Sequence, residues 1–221
     1  AYISFTINYS NPTTDTELIL KKGTGFTASY DNTLYNYVTL EDTKAQVSND
    51  TAIFSSIPIR EGTQVVQSFV VNTSVKGQRF VLNNQNIDTN TIRVTVFPTG
   101  GSFNEPYLVS DNILGIDANS KVFFLDEIAD ERYELLFGDG VLGKKLENNT
   151  AIEVSYITTS GPESNGVKTF VFSGVIENPS GVSPNAFTVT IDSIIASAGG
   201  EVIETTDKIK YNAPKTYGSQ D

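Results

Sequence analysis

The sequence contains no histidine, cysteine, methionine or tryptophan. Without cysteine there is no disulfide framework and no thiol nucleophile, and without histidine there is no Ser-His-Asp triad. A zinc finger needs ligands from the same two residue types, so a metal site would have to consist of oxygen ligands, as for calcium or magnesium. These absences exclude many common catalytic and metal-binding classes, and we predict no catalytic residues, metal ligands or cofactor.

Basic residues are also scarce, since 15 lysines and arginines face 26 acidic residues and give a net charge of −11. Binding to nucleic acid rests on basic side chains that neutralise phosphates, so a nucleic-acid partner is not expected. The sequence has no apolar run of about 18 residues that could span a membrane, and its opening residues do not resemble a signal peptide. Because the chain begins at Ala1 and contains no methionine, we expect an internal piece of a longer soluble polypeptide.

The residues that are abundant favour β-structure. Valine, isoleucine and threonine number 20, 19 and 25, against 11 alanines and 12 leucines. β-Branched side chains lose rotamer freedom in a helix and pack well on a pleated sheet. We therefore predict an all-β fold of antiparallel, β-sandwich-like modules with at most one or two short helices.

Short alternating or apolar segments recur about every 10–15 residues with turn formers between them, a spacing typical of sandwiches and barrels. The segment Thr99–Ser102 is the most linker-like, which predicts an N-terminal β module over residues 1–103 and a C-terminal β module over residues 104–221. A helix is plausible only over residues 201–211, where a threonine could cap the first turn and Pro214 follows the end.

The glycine-rich string Phe137–Lys145, FGDGVLGKK, has two possible interpretations. It matches the spacing of dinucleotide-binding and P-loop motifs, except that Lys145 stands where the P-loop has a hydroxyl. Both motifs require a helix that begins directly after the glycines, near Lys144, and the following Leu-Glu-Asn-Asn sequence is a poor first turn. We favour a sharp turn instead, with Asp139 and Gly140 supplying positive φ and Gly143 a second bend.

Two other groups of residues could carry a function. A set of carboxylates between two predicted strands could gather calcium ligands, although its spacing fits no EF-hand and a solvated acidic connection is the simpler interpretation. This set comprises Asp126, Glu127, Asp130, Glu131 and Glu134. An early group of tyrosines could form a sugar-binding or partner-binding surface, although we favour packing within the sheets. This group comprises Tyr2, Tyr9, Tyr30, Tyr35 and Tyr37.

The stretch around the glycine string also carries a family resemblance. Residues 133–145, followed by 147–148, 152–156 and 159–166, resemble the baseplate wedge proteins of contractile-tailed phages, namely the T4-like wedge protein six and the wider baseplate J-like family. Weaker similarities occur at residues 22–26, 60–62 and 209–215, in the family's order. One departure is Asn149, which stands where the family commonly has glycine.

The resemblance implies a structural role and no enzymatic activity. Members of this family join with copies of themselves and with other wedge proteins into a ring around the tail hub, and they transmit the rearrangement that triggers sheath contraction. It further implies a virion protein made in the host cytoplasm, with no small-molecule substrate. Two alternatives from the residues stay open: a β-sandwich adhesin or carbohydrate-binding module, and a phosphate-binding enzyme built on the glycine string.

Overall fold

The computed structural model describes residues 1–100 and 103–201, and this part of the chain is almost entirely β-structure. The first strands are β1 (Tyr2–Tyr9), β2 (Glu17–Leu20), β3 (Gly25–Tyr30), β4 (Thr33–Thr39), β5 (Thr43–Ser48), β6 (Thr51–Glu61), β7 (Thr63–Val70) and β8 (Phe80–Val81). The later strands are β9 (Ile87–Phe97), β10 (Glu105–Val109), β11 (Val122–Ile128), β12 (Arg132–Phe137), β13 (Ala151–Thr158), β14 (Val171–Phe172) and β15 (Phe187–Ile195).

The all-β prediction is confirmed. The helices in the described ranges are two short 3-10 segments, Ala129–Glu131 and Gly161–Ser164, which agrees with the expectation of at most one or two. The helix predicted over residues 201–211 lies outside the described residues, apart from Glu201.

The chain divides into two compact units, and the second is inserted into the sequence of the first. The second unit consists of Gly62–Thr159 with the short segment Asn36–Val38, and the first contains the remaining described residues. The expected boundary between residues 103 and 104 falls inside the second unit. There β9 pairs with β10 on one side and with β13 on the other, so its hydrogen bonds join the two expected modules.

The first unit contains an eight-stranded sheet in the order β14-β3-β4-β6-β1-β15, with β5 pairing β6 and β2. β1 alternates along its length, because Ile3, Phe5 and Ile7 are buried while the residues between them are not. Phe5 stacks on Phe54 of β6 at a ring distance of 4.8 Å. Phe172 and Phe187, on the two end strands, contact each other at 6.4 Å, which shows that the sheet curls around its own core.

The second unit contains a seven-stranded mixed sheet in the order β7-β13-β9-β10-β11-β12-β8, in which β10 and β11 run parallel. Its end strands also meet. The Phe69 and Phe80 rings lie 5.6 Å apart, and the Gln67 side chain donates to the Val81 carbonyl at 2.9 Å. In both units, contacts between side chains of the two end strands therefore bring the edges of the sheet together.

Candidate functional site

The glycine-rich string forms a tight turn at the end of β12. Gly138 and Lys145 are paired in an isolated bridge, and the Gly140 N–H donates to the Gly143 carbonyl at 3.1 Å. Gly140 and Gly143 have φ values of +95° and +92°, which favour glycine. In the described residues 139–150 no helix begins near Lys144, and the next strand or helix is β13. The turn interpretation is therefore confirmed, and the phosphate-binding hypothesis lacks the helix N-terminus that it requires.

Two residues of the string have roles that the spacing did not reveal. The Asp139 carboxylate accepts hydrogen bonds from the Val141 and Leu142 N–H groups at 2.8 and 2.9 Å, and these bonds hold its pKa below the usual range. Asp139 thus closes the turn through its side chain rather than through a positive φ. Gly138 is required for space, because a Cβ there would lie 2.2 Å from the carbonyl carbon of Gly143.

Lys144 is not the free cation that a phosphate site would need. Its ammonium lies 2.8 Å from the Glu105 carboxylate at the start of β10, and the ammonium of Lys121 lies 3.0 Å from the same carboxylate. The hydrogen bonds and charges of the two lysines lower the pKa of Glu105. This three-residue cluster joins the base of the glycine turn to the neighbouring strands.

A second loop, residues 110–120 between β10 and β11, lies against the glycine turn. The Gly143 N–H donates to the Asp117 carbonyl at 3.0 Å, and the Lys144 N–H donates to the Ser120 carbonyl at 2.8 Å. The Asp117 carboxylate accepts hydrogen bonds from the Asn119 N–H and the Ser120 hydroxyl, which lower its pKa. Both loops are therefore braced internally and bonded to each other through the backbone.

These two loops expose four aliphatic side chains, which we call the apolar tip. The exposed fractions are 58% for Ile113, 86% for Leu114, 71% for Val141 and 41% for Leu142. Loops of this kind are usually polar, and large exposed apolar patches mark interaction sites. Sequence reasoning missed this surface, although the aliphatic residues between Asp, Asn and Gly in both loops were a signal.

The five carboxylates proposed as calcium ligands do not converge. Glu134 on β12 is 7% exposed and is bound by the Arg79 guanidinium through two hydrogen bonds of 2.8 and 2.5 Å. Asp130 lies 3.3 Å from the Arg132 guanidinium. Within the described ranges, no group of three or more acidic residues is placed to hold a metal ion.

The early tyrosines do not form an exposed platform. Tyr35 and Tyr37 are buried, and the Tyr9 hydroxyl donates to the Asp15 carboxylate at 2.8 Å. Tyr2 and Tyr30 are each 43% exposed and lie on different strands. The described structure therefore favours packing for this group, as the sequence did.

No helix in the described part of the chain is both long and apolar enough to cross a bilayer.

Comparison with known proteins agrees with the resemblance found in the sequence. Residues 68–171 match the family described as bacteriophage baseplate wedge protein gp6, third domain. Baseplate wedge protein gp6 of Enterobacteria phage T4 is 21% identical over 211 residues, which cover 87% of this chain and 31% of the relative. The chain thus spans about a third of the length of the curated relative it matches. The matched domain covers most of the inserted unit, including the glycine turn, and the wider similarity extends over most of the chain. Both comparisons therefore support a baseplate wedge protein of a phage.

Proposed function

We propose that the chain is a structural part of the tail baseplate that forms the wedge and inner ring around the tail hub by protein–protein assembly. In this role it transmits the rearrangement that triggers sheath contraction and catalyses no reaction. Its partners are other copies of itself and other baseplate wedge proteins. The similarity to gp6 of phage T4, a protein named for the baseplate wedge, supports this proposal.

The single observation that carries the proposal is the apolar tip on its braced loops. The charged and polar groups around it are used to hold the loops, as Asp139, Asp117 and Glu105 show. The side chains left exposed at the tip are aliphatic, and they offer contact area but no group that could act on a substrate. A rigid surface of this kind suits assembly.

The proposal is tested by preparing tails from a phage in which the gene for this protein is inactivated. We expect tails without a complete baseplate, seen by electron microscopy, and restoration of the baseplate when the wild-type protein is supplied. Complete baseplates that contract normally in the absence of the protein would contradict the proposed function. Complete baseplates that fail to contract would support the triggering role over the assembly role.

A further inference from the structure

The charges of the two tip loops indicate what kind of surface covers them. Residues 110–120 contain Asp111 and Asp117, residues 138–143 contain Asp139, and neither segment contains lysine or arginine. The lysines nearest in sequence, Lys121 and Lys144, are both bound to Glu105. Lys145 follows, and its charge acts on Asp139, so the two loops and this lysine carry three carboxylates against one further positive charge and remain negative on balance.

A second copy of the chain is a poor partner for this surface. Tip against tip would bring together two surfaces that are negative on balance, and any other face of a chain with net charge −11 is on average acidic as well. Like charges that face each other across an interface disfavour association and slow the encounter. The partner therefore needs the opposite charge.

We propose that the apolar tip, made of Ile113, Leu114, Val141 and Leu142, docks into an apolar groove of a different baseplate protein whose rim carries lysine or arginine. The aliphatic side chains fill the groove, and Asp111 pairs with the rim, because the carboxylates of Asp117 and Asp139 already accept hydrogen bonds that brace their own loops. This inference rests on the proposed baseplate function and specifies one contact within it.

The absence of cysteine allows a direct test with single-cysteine variants of the full chain. Leu114 has the most exposed side chain of the tip. The Leu114→Cys variant would be labelled with a photoreactive cross-linker and assembled into baseplates. Val182→Cys is the matched control, because Val182 is also an exposed aliphatic residue, at 58%, and lies in the other compact unit. Mass spectrometry then identifies the cross-linked peptides.

We expect the label at residue 114 to reach a peptide of a different baseplate protein that contains lysine or arginine beside apolar residues. Cross-links to a second copy of this chain would overturn the proposal. A baseplate that contains the labelled protein but shows no cross-link would overturn it as well. Poor reactivity of the cysteine at 114 in the isolated chain would also overturn it, since the tip would then be covered by the chain itself.

Affinity measurements test the same contact. Against the cross-linked partner, Leu114→Asp should weaken binding about tenfold or more, as expected for a central apolar contact, while Val182→Asp should not. Asp111→Lys should slow association, and the effect should shrink as salt is added.

If the chain is found in baseplates but these variants bind normally, the docking proposal fails and the proposed function stands. If the chain is not found in baseplates, the proposed function fails.

Discussion

At the scale of single residues, the glycine turn depends on two glycines for different reasons. Gly140 has a positive φ, but a Cβ there would meet only the Lys145 Cβ at 3.6 Å. Gly138 has no positive φ, yet a Cβ there would collide with the backbone of Gly143. The first position is restricted by backbone conformation and the second by space.

Substitutions should separate these two restrictions. Gly140→Val should cost about 1–2 kcal/mol of unfolding free energy, the cost of a side chain in left-handed backbone. Gly138→Ala should cost about 2–3 kcal/mol, because backbone atoms must move. Gly77→Ala is the control, since Gly77 has φ +68° and open space around it. Urea unfolding measures all three, and a Gly138→Ala protein as stable as wild type would contradict the packing found here.

Lys144→Ala should change stability by only about 0–1 kcal/mol, as expected for a partly exposed ion pair. The structure adds that the pKa of Glu105 should rise toward its ordinary value in this variant, because one of its two lysines is lost. NMR titration of the Glu105 carboxyl measures the shift, with Lys22→Ala as the control. Specific ATP or GTP binding that Lys144→Ala abolishes would contradict the turn interpretation.

Glu134 should make stability depend on pH. The hydrogen bonds and the charge of Arg79 hold the pKa of the Glu134 carboxyl below its ordinary value of 4.5. Because the pKa of Glu134 is lower in the folded than in the unfolded protein, the ionised carboxylate stabilises the fold at pH values above its unfolded pKa. This stabilisation is lost as the pH falls through the pKa of the folded state. Stability should therefore decline below about pH 4.5, and Glu134→Gln should remove part of that decline. An unchanged pH profile in the variant would show that the ion pair contributes nothing.

At the scale of elements, the sequence predicted most strands, and the two that it missed have physical explanations. β5 is mostly polar, TKAQVS, so it offers little apolar alternation. β10 contains Pro106, which cannot donate to a ladder. Pro106 is tolerated because β11 pairs only with Leu108 and Val109 of that strand. β5 is held by pairing with β6 and β2, and β10 by pairing with β9 and β11, and the apolar pattern within each strand does not report these pairings.

The turn chemistry was more predictable than the grouping of strands. Asn149, which replaces a glycine common in the family, adopts φ +63°, a conformation that asparagine tolerates better than most residues. The insertion of one unit into the other could not be read locally, because it follows from pairing between β7 and β13, whose residues are about 90 positions apart. The apolar tip likewise depends on backbone bonds between two separate loops, such as the bond from the Gly143 N–H to the Asp117 carbonyl.

The inserted unit should fold alone as a fragment of residues 62–159. It contains all seven strands of its sheet and a core of twelve buried residues. We expect a cooperative thermal transition and dispersed NMR signals for this fragment. A fragment of residues 1–103 should lack them, because it separates β9 from β10 and β13. Cooperative folding of the 1–103 fragment alone would contradict the grouping of strands described here.

At the scale of the whole molecule, the negative net charge governs how the protein is expected to assemble. A chain of net charge −11 repels its own copies at low ionic strength, so the isolated protein should be a monomer or weak dimer. Stable higher assembly should then require other baseplate proteins whose facing surfaces are less acidic or basic. The expected weak self-association and the proposed docking at the tip have the same electrostatic cause.

Analytical ultracentrifugation distinguishes self-assembly from assembly with partners. The chain is run alone and mixed with purified baseplate proteins of the same phage, over a range of salt. We expect a small species for the chain alone at micromolar concentration, and in the mixture a larger complex that weakens as salt rises. A closed ring formed by the chain alone at low salt, or no complex with any baseplate protein, would contradict this expectation.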